Sequence, residues 1–197
     1  EAMGMHALLA VGQGSIHPPC LVTIKYNGAG AAPYTAYVGK GITFDSGGIS
    51  IKPSDNMGEM KDDMAGAGAV LGALRAIAAL KIPCNVMGII ACAENMPSGS
   101  AQRPGDVVKA ANGKTIEVIS TDAEGRMVLA DSVWYACKQG AAKVVDIATL
   151  TGGVIVALGT ETAGVVGNDD VLIRQIIEAG KKAGESYWQL PELPECK

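Results

Sequence analysis

Apolar and polar positions alternate along this chain in two periods, and the switches between them predict its elements. Residues 21–26 alternate and are β-branched enough for a strand, with Asn-Gly-Ala-Gly at 27–30 as the turn after it. Residues 34–39 predict a second strand, expected to pair with the first. The stretch 40–52 reads as a glycine-punctuated loop. Residues 64–80 are small and apolar over most of a helical circumference, which predicts a buried helix packed closely against a sheet. Asp63 stands at its first turn, where the helix dipole favours a carboxylate. Residues 84–93 form a continuous apolar run, the pattern of a central strand covered on both faces.

The second half reads similarly. After a long loop over 94–106, residues 107–110 and 115–119 flank Asn112-Gly113, a strong hairpin signal. Residues 127–139 predict a helix stopped at Gly140, and 143–149 another apolar strand. Residues 154–158 and 162–166 read as short extended pieces. Asn168-Asp169-Asp170 caps an amphipathic helix over 171–182. A further helix is expected at 1–9, and 189–197 is punctuated by proline. Strands alternating with helices predict an α/β fold, with a mixed, largely parallel central sheet and helices on both faces.

Composition narrows the function classes. The chain has 197 residues, 48% of them hydrophobic, enough for one well-cored domain. Its formal charge of −4 leaves no basic footprint for nucleic acid or an anionic membrane, and neither partner is expected. No apolar run has the length of a membrane span. Five cysteines, an odd number without a CxxC pair, argue against a disulfide framework and for a reducing compartment. The 26 glycines are roughly twice the usual share of about 7% and point to tight turns and close backbone approaches. The only histidines are His6 and His17, so a metal here must rely on oxygen ligands or an unusual nitrogen.

The candidate chemistry centres on Ser120-Thr-Asp-Ala-Glu-Gly-Arg126. In an extended segment Asp122 and Glu124 point to one side, and two like charges aimed at one spot call for a cation between them. Asp45 and Asp63 lie near other strand and helix ends, where α/β folds build their sites. Four such carboxylates carry the charge that two divalent cations neutralise. Paired divalent ions about 3.5–4 Å apart bridge a water, lower its pKa and polarise a carbonyl. Lys40, Lys52 and Arg126 share these loops, as charge balance or in working roles. A desolvated lysine can ligate metal, and arginine offers a fork to a carboxylate, carbonate or phosphate.

Taken together, residues 38–48 (Val-Gly-Lys-Gly-Ile-Thr-Phe-Asp-Ser-Gly-Gly), 94–99 (Glu-Asn-Met-Pro-Ser-Gly), 121–126 (Thr-Asp-Ala-Glu-Gly-Arg) and 148–152 (Ala-Thr-Leu-Thr-Gly) resemble the leucyl (cytosol) aminopeptidases, the M17 peptidase family. The resemblance spans nearly the whole chain. It implies an exopeptidase with two Zn²⁺ or Mn²⁺ ions that removes N-terminal, leucine-like residues from peptides in the cytoplasm. By its motifs, Lys40, Asp45, Asp63 and Glu124 hold the tighter metal, and Asp45, Asp122 and Glu124 the exchangeable one. A metal-bridged water is the nucleophile, and Lys52 polarises the scissile carbonyl and stabilises the gem-diolate. Arg126 holds a bicarbonate that serves as general base, assisted by the backbone around Leu150 and Gly152. Met60, Thr149 and Gly152 belong to the pocket for the first side chain. Ser120 departs from the family signature, which usually has Asn there. Residues 1–197 are thereby expected to be an incomplete catalytic domain, lacking an N-terminal domain and the end of the catalytic domain, from a family that assembles as hexamers. Two alternatives compete: another dimetal hydrolase such as a phosphoesterase, and a catalytically inactive fragment with a binding or architectural role.

Overall fold

In the computed structural model, which describes residues 2–192, the chain divides into two compact units, Glu1–Thr149 and Leu150–Lys197. The first unit is built on a four-stranded sheet in the order β1-β3-β2-β6. Its strands are β1 (Cys20–Asn27), β2 (Tyr34–Asp45), β3 (Asn85–Asn95) and β6 (Ala141–Ile147). β2 runs parallel to both β3 and β6, while β1 runs antiparallel to β3. The sheet is therefore mixed and largely parallel, as the alternation of elements predicts.

The crossovers explain the order. From β2 the chain passes through α2 (Ala65–Ala79) to β3 on one side, then through α3 (Glu124–Lys138) to β6 on the other. Right-handed crossovers in opposite directions put the two helices on opposite faces. β3 shows the result in its alternation. Val86 and Ile90 pack with Ala67, Val70 and Leu74 of α2. Met87 and Ile89 pack with Leu129 and Ala136 of α3, and Ala91 and Ala93 with Leu8 and Val11 of α1 (His6–Gly12). Burying each of the valines, leucines, isoleucines and the methionine among them contributes about 1.5–3 kcal/mol. β1 takes the free edge of β3, so the expected β1–β2 pair is not formed; β2 already has parallel partners on both sides.

Other expectations are corrected by packing. The predicted loop at 40–52 is strand as far as Asp45. α2 buries only the stripe Gly66, Ala67, Val70 and Leu74, and its outer face carries exposed Leu71, because the sheet covers one side only. α2 lies close to β2 and β6 through glycine: a Cβ on Gly39 would meet the Gly66 carbonyl oxygen at 2.8 Å, and one on Gly66 would collide with that of Ile147. The first helix begins at His6 rather than at the chain start; residue 1 lies outside the described residues. β4 (Val107–Lys109) and β5 (Thr115–Glu117) form the expected hairpin, and Asn112 Oδ1 accepts from the Lys114 amide in its turn.

The second unit holds α4 (Gly153–Leu158), β7 (Thr162–Val165), α5 (Asp170–Ala183) and β8 (Ser186–Gln189). Residues 154–158, read as extended from their β-branched content, are helical: the amides of Ile155 and Val156 both donate to the Gly152 carbonyl. Local propensity is a weak prior, and the hydrogen-bonded turn overrides it. Asp169 caps α5 through the amides of Val171 and Leu172, as predicted. β8, parallel to β7, was not legible from the sequence, and residues 193–197 of the proline-punctuated tail lie outside the described residues.

Candidate metal centre

The reversal of strand order around β2 opens a crevice at the carboxyl ends of the parallel strands, the place where open α/β sheets bind ligands. Asp45 ends β2 and Asn95 ends β3, while Thr149 follows β6. Thr121–Ala123 form a short 3-10 turn, and Glu124 is the first residue of α3. Asp122 and Glu124 therefore converge through a helix start and not through an extended segment, a correction to the geometry read from their spacing.

Two lysine-centred clusters result. Lys40, on the α3 face of β2 and 2% exposed, places its ammonium 2.8 Å from Asp63 Oδ1 and 2.8 Å from Glu124 Oε1. It also donates to the Thr149 carbonyl at 2.7 Å. Gly125 makes room for it, since a Cβ there would lie 2.9 Å from Lys40 Cε and Nζ. Lys52 places its ammonium 3.0 Å from Asp45 Oδ2 and 2.7 Å from Asp122 Oδ1. Burial works against the Lys52 ammonium, but hydrogen bonds to Asp122 and Asp45 and their charges prevail and hold its pKa above the ordinary lysine value. The same cation–carboxylate attraction, in reverse, is too weak at the buried pair. Burial raises the pKa of Asp63 and of Glu124 above the carboxylate range against the opposing pull of Lys40, and the Asp45 charge adds to the rise in both.

Supporting hydrogen bonds fix the carboxylates. Asn95 Nδ2 donates to Asp45 Oδ1 at 2.8 Å and to the Thr121 carbonyl at 3.0 Å. The Thr149 hydroxyl donates to Asp63 Oδ1 at 2.6 Å. Ser120 Oγ accepts from the Asp122 amide at 3.3 Å, so the serine at this position caps the turn. Gly47 and Gly48 both adopt positive φ, +87° and +71°, and fold the chain so tightly that a Cβ on Gly47 would lie 2.8 Å from Asp122 Oδ1.

The donor set fits divalent metal. One oxygen from each of Asp45, Asp122 and Glu124 lies within 4.8 Å of the others. Asp63 Oδ2 and Glu124 Oε2 are buried with no hydrogen-bond partner among the described residues, and such orphaned anionic oxygens are costly unless a cation satisfies them. Hard oxygen donors with a lysine nitrogen beside them suit Mn²⁺ and are compatible with Zn²⁺.

A sequence model of the cytosol aminopeptidase family, catalytic domain, matches residues 1–197. The chain belongs to the cytosol aminopeptidase family. It is 55% identical over 197 residues to the probable cytosol aminopeptidase of Azotobacter vinelandii, covering 99% of this chain and 40% of that protein. It is 52% identical to the one from Alkaliphilus metalliredigens, covering 100% of this chain and again 40% of the relative. The chain thus spans about two fifths of the length of these relatives. Among solved structures, the bottromycin maturation enzyme BotP superposes with a TM-score of 0.92 at 45% identity, over 98% of this chain and 41% of that one. BotP in complex with Mn gives the same score and identity, over 43% of its chain.

Every metal-ligand candidate named from this family's motifs sits in or beside the crevice: Lys40, Asp45, Asp63, Asp122 and Glu124. Met60, half-buried on a 3-10 turn, lines a cavity of about 340 Å³ with Lys52, Asn56 and Asp122. Arg126 is exposed on the first turn of α3 and has no ion pair among the described residues. Leu150 and Gly152 open the second unit, ahead of α4, with Leu150 exposed. Asn95 was missed as a supporting residue. Its signal was available: a polar residue closing a continuous apolar strand and entering the Glu94–Gly99 motif. Asp131 was missed too. Fully buried in α3, it accepts from the Leu8 amide at 3.0 Å and the Ala111 amide at 2.7 Å, tying α1 and the hairpin to the helix that carries Glu124.

Proposed function

We propose that the protein is a dimetal aminopeptidase that removes leucine-like N-terminal residues from peptides. The observation that carries this reading is the convergence of Asp45, Asp122 and Glu124 within 4.8 Å, beside the orphaned oxygens of Asp63 and Glu124. Lys40, as the neutral amine, with Asp45, Asp63 and Glu124 would hold one divalent ion, and Asp45, Asp122 and Glu124 the other. Two ions so held supply a water of lowered pKa and polarise the substrate carbonyl. The remaining work falls to the chain. Lys52 would donate to the scissile carbonyl oxygen as it gains charge, steadying the gem-diolate. Met60 lends an apolar wall beside Lys52 to the side chain of the first residue, and the family resemblance assigns Thr149 and Gly152 to the same role. Arg126 would offer its exposed fork to a bicarbonate, which would supply a general base there, and the family resemblance assigns the backbone of Leu150 and Gly152 to the same anion. The relatives' name supports a cytosolic setting, and the family resemblance supports a hexamer.

The test is hydrolysis of leucine 4-nitroanilide against 4-nitrophenyl phosphate by the intact protein with Mn²⁺ or Zn²⁺. Cleavage of the anilide is expected, with Lys52→Ala losing turnover while retaining metal. Cleavage of the phosphate ester alone overturns the reading, and equal loss of metal and turnover in Lys52→Ala removes the role given to that lysine.

A further inference from the structure

β1 and β3 are antiparallel neighbours, and Cys20 stands directly opposite Cys92 in their register. Directly opposed residues of such a pair share a face, with Cα atoms about 4.5–5.5 Å apart. Disulfides join Cα atoms about 4.4–6.8 Å apart, so this ladder position already brings the two sulfurs within reach of a bond. Both are free thiols, Cys20 exposed on the edge strand and Cys92 half-buried against the α2 cluster. They influence each other: burial first, then the charge and hydrogen bond of Cys20, push the Cys92 thiol up to about 11. Of the other described cysteines, Cys84 precedes β3 and Cys137 lies on α3, outside this register.

We infer that Cys20 and Cys92 form a reversible dithiol–disulfide couple, a modification site whose oxidant is a low-molecular-weight disulfide such as oxidised glutathione. The exposed Cys20 is the entry point, because exchange requires access to the attacking thiolate. Its thiolate attacks one sulfur of oxidised glutathione, forming a mixed disulfide and releasing one glutathione thiolate. The Cys92 sulfur, giving up its proton, then attacks Cys20 Sγ, closes the intramolecular bond and displaces the second glutathione. Two protein thiols are oxidised, one glutathione disulfide is reduced, and the two protons end on the two glutathione thiols. Cys92 resolves and does not initiate, because its half-buried thiol with a raised pKa is almost entirely protonated at neutral pH. The bond would tie the edge strand to β3 three residues before Asn95, the residue that holds Asp45. A single exposed bond of this kind belongs with the labile, redox-responsive disulfides and not with a structural framework.

The experiment titrates the intact protein with oxidised glutathione, quenches free thiols by alkylation, and maps peptides by mass spectrometry. Expected is a loss of two hydrogens carried by a cross-linked peptide pair containing residues 20 and 92, fully reversed by reduced glutathione. Cys92→Ser is expected to stop at a glutathione adduct on Cys20. Cys20→Ser, an exposed change that leaves the α2 cluster intact, is expected to take neither cross-link nor adduct at Cys92 and serves if Cys92→Ser does not fold. A wild-type protein that accumulates the Cys20 adduct without closing the bond, or that cross-links another pair, overturns the couple.

Discussion

Gly125→Ala tests whether the Lys40 cluster is held as tightly as its distances imply. A Cβ at this position would lie 2.9 Å from Lys40 Cε and Nζ and 3.0 Å from Cδ. Ordinary contacts begin near 3.5 Å, so the end of Lys40 must retreat by about 0.6 Å. Its ammonium has little freedom to do so, being 2.8 Å from both Asp63 and Glu124 and 2.7 Å from the Thr149 carbonyl. At an effective dielectric of about 20, lengthening an ion pair from 2.8 Å to about 3.4 Å costs about 1 kcal/mol, hence about 2 kcal/mol for the two pairs. Against this, alanine is favoured over glycine in a helix by about 1 kcal/mol. The net expectation is a loss of about 1 kcal/mol in the metal-free protein, read as a lower urea midpoint with an unchanged slope. Metal uptake by equilibrium dialysis should weaken in parallel, because the end of Lys40 is displaced from its place beside Asp63 and Glu124. A Gly125→Ala protein as stable as the parent, or more stable, with unchanged metal stoichiometry, would refute the reasoning and show that Lys40 is free to move.

Three further outcomes follow from the same geometry. Glu124→Gln should lower the content of both metals, since one charge shared between them is removed; unchanged stoichiometry on dialysis would exclude a bridging role. Asp131→Ala should destabilise the fold by roughly 2–4 kcal/mol, because the amides of Leu8 and Ala111 lose their acceptor, and hydrogen exchange at those two amides should rise above that of the α3 amides. Uniform exchange would contradict that account. Metal retention should fall with acidification beginning above the ordinary carboxylate range of about 4: Asp63 and Glu124 have raised pKa values, and both must shed protons to bind a cation. In the metal-free protein the sign is opposite for these two groups. The folded state binds more protons than the unfolded one between the ordinary and the raised pKa, so their contribution to stability grows as pH falls through that window. Retention that stays flat until well below pH 4 would remove the argument from burial.

Four carboxylates in one crevice would repel strongly without metal, but Lys40 and Lys52 each sit between two of them. Chelation therefore leaves a cluster half-neutralised by the chain itself, and its loosening around Asp45 and Asp122 should be smaller than the bare carboxylates suggest.

Much of this protein was legible from residue order alone. The apolar run at 84–93, the helix stopped by Gly140, the Asn112-Gly113 hairpin and the Asp169 cap are local patterns with local causes. Candidate metal ligands could be named from the sequence because metal ligands must be carboxylates or a suitable nitrogen whatever the fold. What the order of residues left open depends on contacts between distant segments. Antiparallel pairing of β1 with β3 and not β2 follows from which edge remains free after two crossovers. The one-sided burial of α2 follows from what covers it, and its small side chains are silent on that. Asn95 and Asp131 show the same limit. Each is a polar side chain in an apolar context until the tertiary structure brings Asp45 and Thr121 to one, and the amides of Leu8 and Ala111 to the other. Residue type decided which groups can bind a cation; only the closing of the sheet decided which of them meet.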